Sequence, residues 1–146
     1  MFDINHQVGI NASPEKIYEA LPTNEGLSEW WTNDTSGAGK VGSTIEFRFN
    51  GGGPDFTVSE LIPNKTVKWR HSGCMPEAWM GTEITFNLRV DNEQTFVRFT
   101  HSNWKESSDF MAHCSTKWAV FLISLKSALE TNVGRPFPND IQIDHS

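Results

Sequence analysis

The chain has 146 residues and a formal net charge of −6, with six Trp and ten Phe against a single Tyr. This length corresponds to one domain, and the acidic balance argues against nucleic acid or an anionic membrane surface as a partner. No apolar run approaches the roughly 18 residues of a membrane span, and the first residues do not resemble a secretion signal. We therefore expect a single domain over 1–146, with a tail at 134–146, in the reducing cytoplasm.

The first predicted elements are a strand and two short helices. Alternating apolar residues predict the strand over 2–10. In "SPEKIYEAL", Ser13 is a good N-cap and Pro14 occupies the first helical position. In "NEGLSEWWT", the i, i+3, i+4 spacing places three apolar residues on one helical face: Leu27, Trp30 and Trp31. Both tryptophans are therefore predicted to point toward the same interior.

Five short strands follow the loop "NDTSGAGKVG", which lacks the spacing of a phosphate-binding loop. Each shows apolar alternation, and the connecting turns have hairpin length, so an antiparallel meander is predicted. The five segments are "STIEFRFN", "FTVSELI", "TVKWRHS", "GTEITFNLRV" and "TFVRFTHS". In the second of them, Glu60 shares parity with Phe56 and Val58 and is predicted to point inward.

One long helix is predicted over 108–131, ending before Gly134 and Pro136. Its apolar residues recur at spacings of three and four and form a wide, aromatic-rich stripe. An antiparallel sheet with one apolar face needs a cover, and this helix is long enough to provide it. The predicted fold is α+β: a curved antiparallel sheet of about six strands wrapped around a long C-terminal helix, with two short helices after the first strand.

Several segments resemble the START-like (SRPBCC) superfamily, and within it the branch of homologues of the activator of heat-shock protein 90 ATPase. "INASPEKIYEAL", "LSEWWT" and "VSELIPNKTVKWRH" are similar to its opening segment, its double-Trp motif and its Trp-containing hairpin. "TFVRFTHSNW" and "HCSTKWAVFLISLKSALE" resemble its His-containing strand and its last helix. Asn103 and Lys117 stand where that branch has glycine. The resemblance implies a helix-grip fold and covers only the carboxy-terminal-type domain of the eukaryotic activators.

The resemblance also implies a cavity between the sheet and the long helix. Rings on the concave face would supply apolar contact, while histidine and indole N–H groups would orient a ligand. The same side chains could instead form a packed core, and spacing does not separate the two interpretations. We predict binding of a small hydrophobic or amphipathic molecule, without a cofactor, by Trp30, Trp31, Phe47, Phe49, Trp69, His71, Trp79, Phe86, Phe99, His101, Phe110, Cys114 and Trp118.

Two other functions stay open. The resemblance suggests a co-chaperone-like module whose partner is a heat-shock protein. A small cyclase- or hydrolase-type enzyme would use His71, His101 or Glu60, although the sequence shows no assembled catalytic constellation. His71 and Cys74 form a His-x-x-Cys pair without enough further ligands for zinc, so no metal site is predicted. Cys114 lies on the apolar stripe and is expected to be an inert buried thiol.

Overall fold

The computed structural model describes residues 1–37, 39–49 and 52–144. Residue 38 of the predicted glycine-rich loop, residue 50 at the end of the predicted strand "STIEFRFN", residue 51 of the turn after it and residues 145 and 146 of the tail lie outside the described residues. The helices are α1 (Pro14–Ala20), α2 (Asn24–Trp30) and α3 (Asp109–Thr131). The strands are β1 (Phe2–Ile10), β2 (Asp34–Ser36), β3 (Thr44–Arg48), β4 (Asp55–Ile62), β5 (Thr66–His71), β6 (Glu83–Asp91) and β7 (Gln94–Trp104).

The strands form one antiparallel sheet in the order β1-β7-β6-β5-β4-β3-β2. The meander β3 to β7 follows the chain, and β1 closes the far edge against β7. The sequence prediction missed β2, a three-residue strand inside the predicted loop that pairs with β3. The predicted α+β helix-grip fold is confirmed, with α1 and α2 after β1 and α3 across the sheet.

Side-chain caps explain where the helices begin. Ser13 Oγ accepts a hydrogen bond from the Lys16 amide at 3.2 Å, and Thr23 Oγ accepts one from the Gly26 amide at 3.0 Å. Such caps satisfy amides that have no partner within the helix. At its C-terminus, α3 is capped by Asn132, which adopts a left-handed conformation with φ 63°. Gly134 and Pro136, from which the sequence analysis predicted the end of the helix, lie two and four residues beyond Asn132.

A β-bulge in β4 reverses the predicted orientation of Glu60. Val58 pairs with Trp69 while Glu60 pairs with Lys68, so the register shifts at Ser59. A bulge inserts one residue into the alternation, and every later side chain changes face. Glu60 is therefore exposed and Leu61 packs against the core instead. The prediction that Glu60 points inward was wrong because parity was counted across the bulge.

The core fills the space between the concave face of the sheet and α3. It consists largely of stacked and edge-on rings, with Trp31 lying parallel to Trp69 at a centroid distance of 5.9 Å. The second half of α3 completes it with Leu122 and Leu125, which are fully buried. In the described part of the chain, no helix is long and apolar enough to cross a bilayer.

Candidate functional site

A cleft of about 390 Å³ opens beside the first half of α3. Its other walls are the loop before β4, the loop between β5 and β6, and the C-terminal segment after α3. Most of its lining is apolar and aromatic. The residues that line it are Trp31, Phe49, Gly52, Gly53, Pro54, Met75, Pro76, Trp79, Phe110, His113, Cys114, Lys117, Trp118, Phe121, Phe137, Asp140 and Gln142.

The structure divides the residues predicted from the sequence into two sets. One set lies on the wall of the cleft: Trp31, Phe49, Trp79, Phe110, Cys114 and Trp118. The other set is buried behind that wall in the core: Trp30, Phe47, Trp69, His71, Phe86, Phe99 and His101. Strand parity and helical spacing direct side chains of both sets into the space between the sheet and α3, and depth within the core then separates the two sets.

The adjacent tryptophans at the end of α2 have different surroundings. Trp30 is fully buried, donates from Nε1 to the Ala20 carbonyl at 2.9 Å and packs edge-on against Phe86. Trp31 contacts Trp118 on α3 at a centroid distance of 4.9 Å, and its ring forms part of the cleft floor. The pair therefore joins the packed core to the cleft wall.

His101 lies in the middle of a chain of hydrogen bonds that begins at the Trp118 indole and ends at the Trp79 carbonyl. The Trp118 indole donates to His101 Nδ1 at 3.1 Å, which places the imidazole proton on Nε2. Nε2 then donates to Thr82 Oγ1 at 2.9 Å, and the Thr82 hydroxyl donates to the Trp79 carbonyl. Burial, with repulsion from His71 as a second cause, lowers the pKa of His101 to about 3. His101 is thus a neutral group that positions two cleft-wall tryptophans.

His71 also supports the cleft wall, from a buried position on the core side. Its Nε2 lies 2.9 Å from the Met75 carbonyl. This contact holds the loop between β5 and β6 in place, and Met75, Pro76 and Trp79 of that loop line the cleft. Neither His71 nor His101 lines the cleft, and Glu60 lies exposed on β4. The structure therefore does not bring the three candidate enzyme residues together in one site.

The polar edge of the cleft is made by residues that the sequence analysis did not select. Lys117 Nζ pairs with the Asp140 carboxylate and donates to the Ile141 carbonyl at 3.1 Å. One turn earlier on α3, His113 Nδ1 lies 3.1 Å from the Asp144 carboxylate. One signal in the sequence pointed to this edge: Lys117 stands at a position where the similar proteins have glycine.

The C-terminal segment forms a wall because hydrogen bonds to the core hold it in place. The Phe137 amide donates to the Trp31 carbonyl at 2.7 Å, and the Arg135 amide donates to Ser124 Oγ at 2.8 Å. Phe137 then packs edge-on against Phe49 at 5.1 Å. These contacts carry Asp140 back to Lys117 across 23 residues of sequence.

Both cysteines are free thiols, with Cys74 exposed and Cys114 buried. Burial raises the pKa of Cys114 to about 11, so this thiol is protonated at neutral pH and forms part of the cleft floor. Among the described residues, no three His, Cys, Asp or Glu side chains come together as candidate metal ligands.

Comparisons with known proteins agree with this architecture. The family described as Activator of Hsp90 ATPase homolog 1-like protein matches residues 11–130. The solution structure of the Aha1 dimer from Colwellia psychrerythraea is 72% identical, with a TM-score of 0.86, and the alignment covers 92% of this chain and 100% of that one. A Staphylococcus saprophyticus protein at 19% identity has a TM-score of 0.77 over 92% of this chain and 97% of its own, which shows the shared fold. Comparison with curated proteins gives no match.

Proposed function

Because the chain belongs to the family of Activator of Hsp90 ATPase homolog 1-like proteins, and because its aromatic core opens into a cleft, we propose that it binds a small hydrophobic or amphipathic molecule there. The observation that carries the proposal is the cleft of about 390 Å³ with its aromatic wall. Binding pockets for small molecules fall roughly between 300 and 1,000 Å³ and are mainly apolar with a few polar groups.

The expected affinity is modest. A ligand of about 20 heavy atoms at about −0.3 kcal/mol per atom binds with about −6 kcal/mol, a Kd in the tens of micromolar. The rings of Trp31, Trp79 and Trp118 supply rigid contact area at low entropic cost. Cys114, protonated in the floor, behaves as a small apolar side chain.

Native mass spectrometry of the freshly purified protein is the first test. We expect an additional mass that is lost on unfolding, or, for protein purified free of ligand, saturable binding of the neutral probe N-phenylnaphthylamine. A clean protein mass together with no probe binding would contradict the proposal.

A variant that fills the cleft makes the location testable. Cys114→Phe adds a ring at the floor, where the thiol is 6% exposed, and should weaken probe binding at least tenfold, or about 1.4 kcal/mol. Ile123→Phe is the matched control, because Ile123 lies on the same helix, is 52% exposed and does not line the cleft. Equal probe affinity in both variants would place binding elsewhere.

Contact with a heat-shock chaperone is a second candidate function. The observation that favours it is the 72% identity with a protein described as Aha1. We expect this chain to change the ATPase rate of an Hsp90-type chaperone, and an unchanged rate at saturating concentration would contradict this function. If Cys114→Phe blocks probe binding but preserves the ATPase effect, the cleft and the chaperone contact are separate.

A further inference from the structure

The polar groups of the cleft lie along one edge. His113 and Lys117 come from successive turns of α3, and Asp140 and Gln142 come from the C-terminal segment that packs beside them. The opposite walls carry apolar side chains such as Met75, from the loop between β5 and β6. A molecule in this cleft therefore meets polar groups at one end only.

The charge of Lys117 at this edge is already compensated by the chain itself, because Lys117 is paired with Asp140. His113 Nδ1 lies 3.1 Å from the Asp144 carboxylate. The Asp140 side chain is fully buried, so a ligand anion that displaced it from Lys117 would leave a buried carboxylate without its counter-ion. A ligand cation would instead lie beside the Lys117 ammonium. Both signs of ligand charge are disfavoured.

Lys117 keeps a donor at the edge for a neutral group. A lysine ammonium has three N–H donors. Within the described residues, Lys117 Nζ uses two of them in hydrogen bonds, to the Asp140 carboxylate and the Ile141 carbonyl, and it lies 5.5 Å from the centroid of the Phe121 ring without a further hydrogen bond. The Lys117 side chain is 21% exposed and borders the cleft, so its third N–H is accessible to a ligand oxygen.

We propose that the ligand is a neutral apolar molecule with one hydrogen-bond acceptor, such as a carbonyl or ether oxygen, which binds Lys117 Nζ at the cleft edge. This inference rests on the proposed function and names its ligand class. The apolar body lies against the tryptophan wall, and the acceptor points toward α3. In this arrangement Asp140 fixes the Lys117 side chain and cancels its charge.

Three probes of nearly equal size test the ligand class: methyl naphthyl ketone, ethylnaphthalene and naphthoate, each substituted at the same ring position. Kd values would be measured at pH 7 by NMR titration of the tryptophan indole N–H signals. We expect the ketone to bind about tenfold more tightly than naphthoate and about threefold to tenfold more tightly than ethylnaphthalene. Tightest binding by naphthoate would overturn the inference while leaving the proposed function intact.

Variants assign the preference to Lys117. Lys117→Met should abolish the preference for the ketone over ethylnaphthalene, whereas Lys65→Met, in an exposed turn outside the cleft, should preserve that preference. Lys117→Met leaves Asp140 without its counter-ion, so the double variant Lys117→Met/Asp140→Asn repeats the test if the single variant does not fold. A ketone preference that survives loss of Lys117 overturns the inference, and no binding of any probe to the wild-type protein overturns the proposed function as well.

Discussion

The two halves of α3 carry the same kind of apolar stripe but have different surroundings. The second half is anchored on both sides: Lys126 Nζ donates to the Gly9 carbonyl on β1, and Lys16 Nζ on α1 donates to the Leu129 carbonyl at 3.4 Å. The first half is tied to β1 on one side only, where the Ser115 carbonyl lies 3.0 Å from His6 Nε2. Its other side faces loops and the C-terminal segment, and Phe110 near its start is 41% exposed. An aromatic stripe therefore becomes core or cleft wall according to what faces it.

The comparison also separates two kinds of polar group. The indole donors of Trp30 in the core and of Trp118 on the cleft wall both point into the protein and are satisfied there, by the Ala20 carbonyl and by His101 Nδ1. At the open end, Lys117 borders the cleft and keeps a donor beyond its two protein bonds. Stability and ligand binding should therefore respond to different substitutions.

The largest effect should come from Trp30→Ala. It removes a fully buried ring and leaves the Ala20 carbonyl without its donor, so the free energy of unfolding should fall by about 3–5 kcal/mol. Trp30 does not line the cleft but stacks on Trp31, which does, so binding of N-phenylnaphthylamine by the folded fraction should fall by less than the roughly tenfold expected for Cys114→Phe. Urea denaturation and probe titration measure the two quantities. A loss of stability below about 1 kcal/mol would contradict the placement of Trp30 in the packed core.

Acid should weaken the packed region through His101. Its pKa in the folded protein is about 3 against an ordinary 6.5, so the unfolded state binds the proton more readily between these values. The His101 contribution to stability is present above pH 6.5 and is lost as the pH falls toward 3. At about pH 4.5 the loss should be about 3 kcal/mol relative to pH 7.

Urea denaturation of the wild-type protein and of His101→Gln at both pH values isolates this contribution. The Gln variant should be less stable at pH 7 but should lose less stability on acidification. Equal losses in the two proteins would show that other groups cause the acid sensitivity.

The smallest effect on stability should come from Phe110→Ala at the open end. Because the ring is 41% exposed, the free energy of unfolding should change by less than about 1 kcal/mol. Probe affinity should fall about threefold to tenfold, because the ring lines the cleft. Val90→Ala, at a 58% exposed strand position outside the cleft, is the control and should alter neither quantity. A large stability loss in Phe110→Ala with unchanged binding would reverse the assignment of the two halves.

Local sequence signals predicted most of the fold because they act over a few residues. Ser13 and Pro14 specify the start of α1, and the spacing of Leu27, Trp30 and Trp31 directs all three side chains inward. The same reasoning failed at Ser59, where one bulged residue reversed the face of Glu60. A bulge depends on pairing with a neighbouring strand, and apolar alternation in one strand does not reveal it.

Outside the bulge in β4, the sequence by itself determined which strand and helix side chains face the space between sheet and helix, because periodicity along one strand or helix fixes direction. Only the tertiary structure decided which of them border the cleft, since depth depends on what packs from the other side. His101, whose chemistry suggested a binding role, became a buried positioning group because Trp118 and Thr82 occupy both of its nitrogens. Lys117 and Asp140 became the polar edge because folding returns the C-terminal segment to α3, and no local pattern in the sequence encodes that meeting.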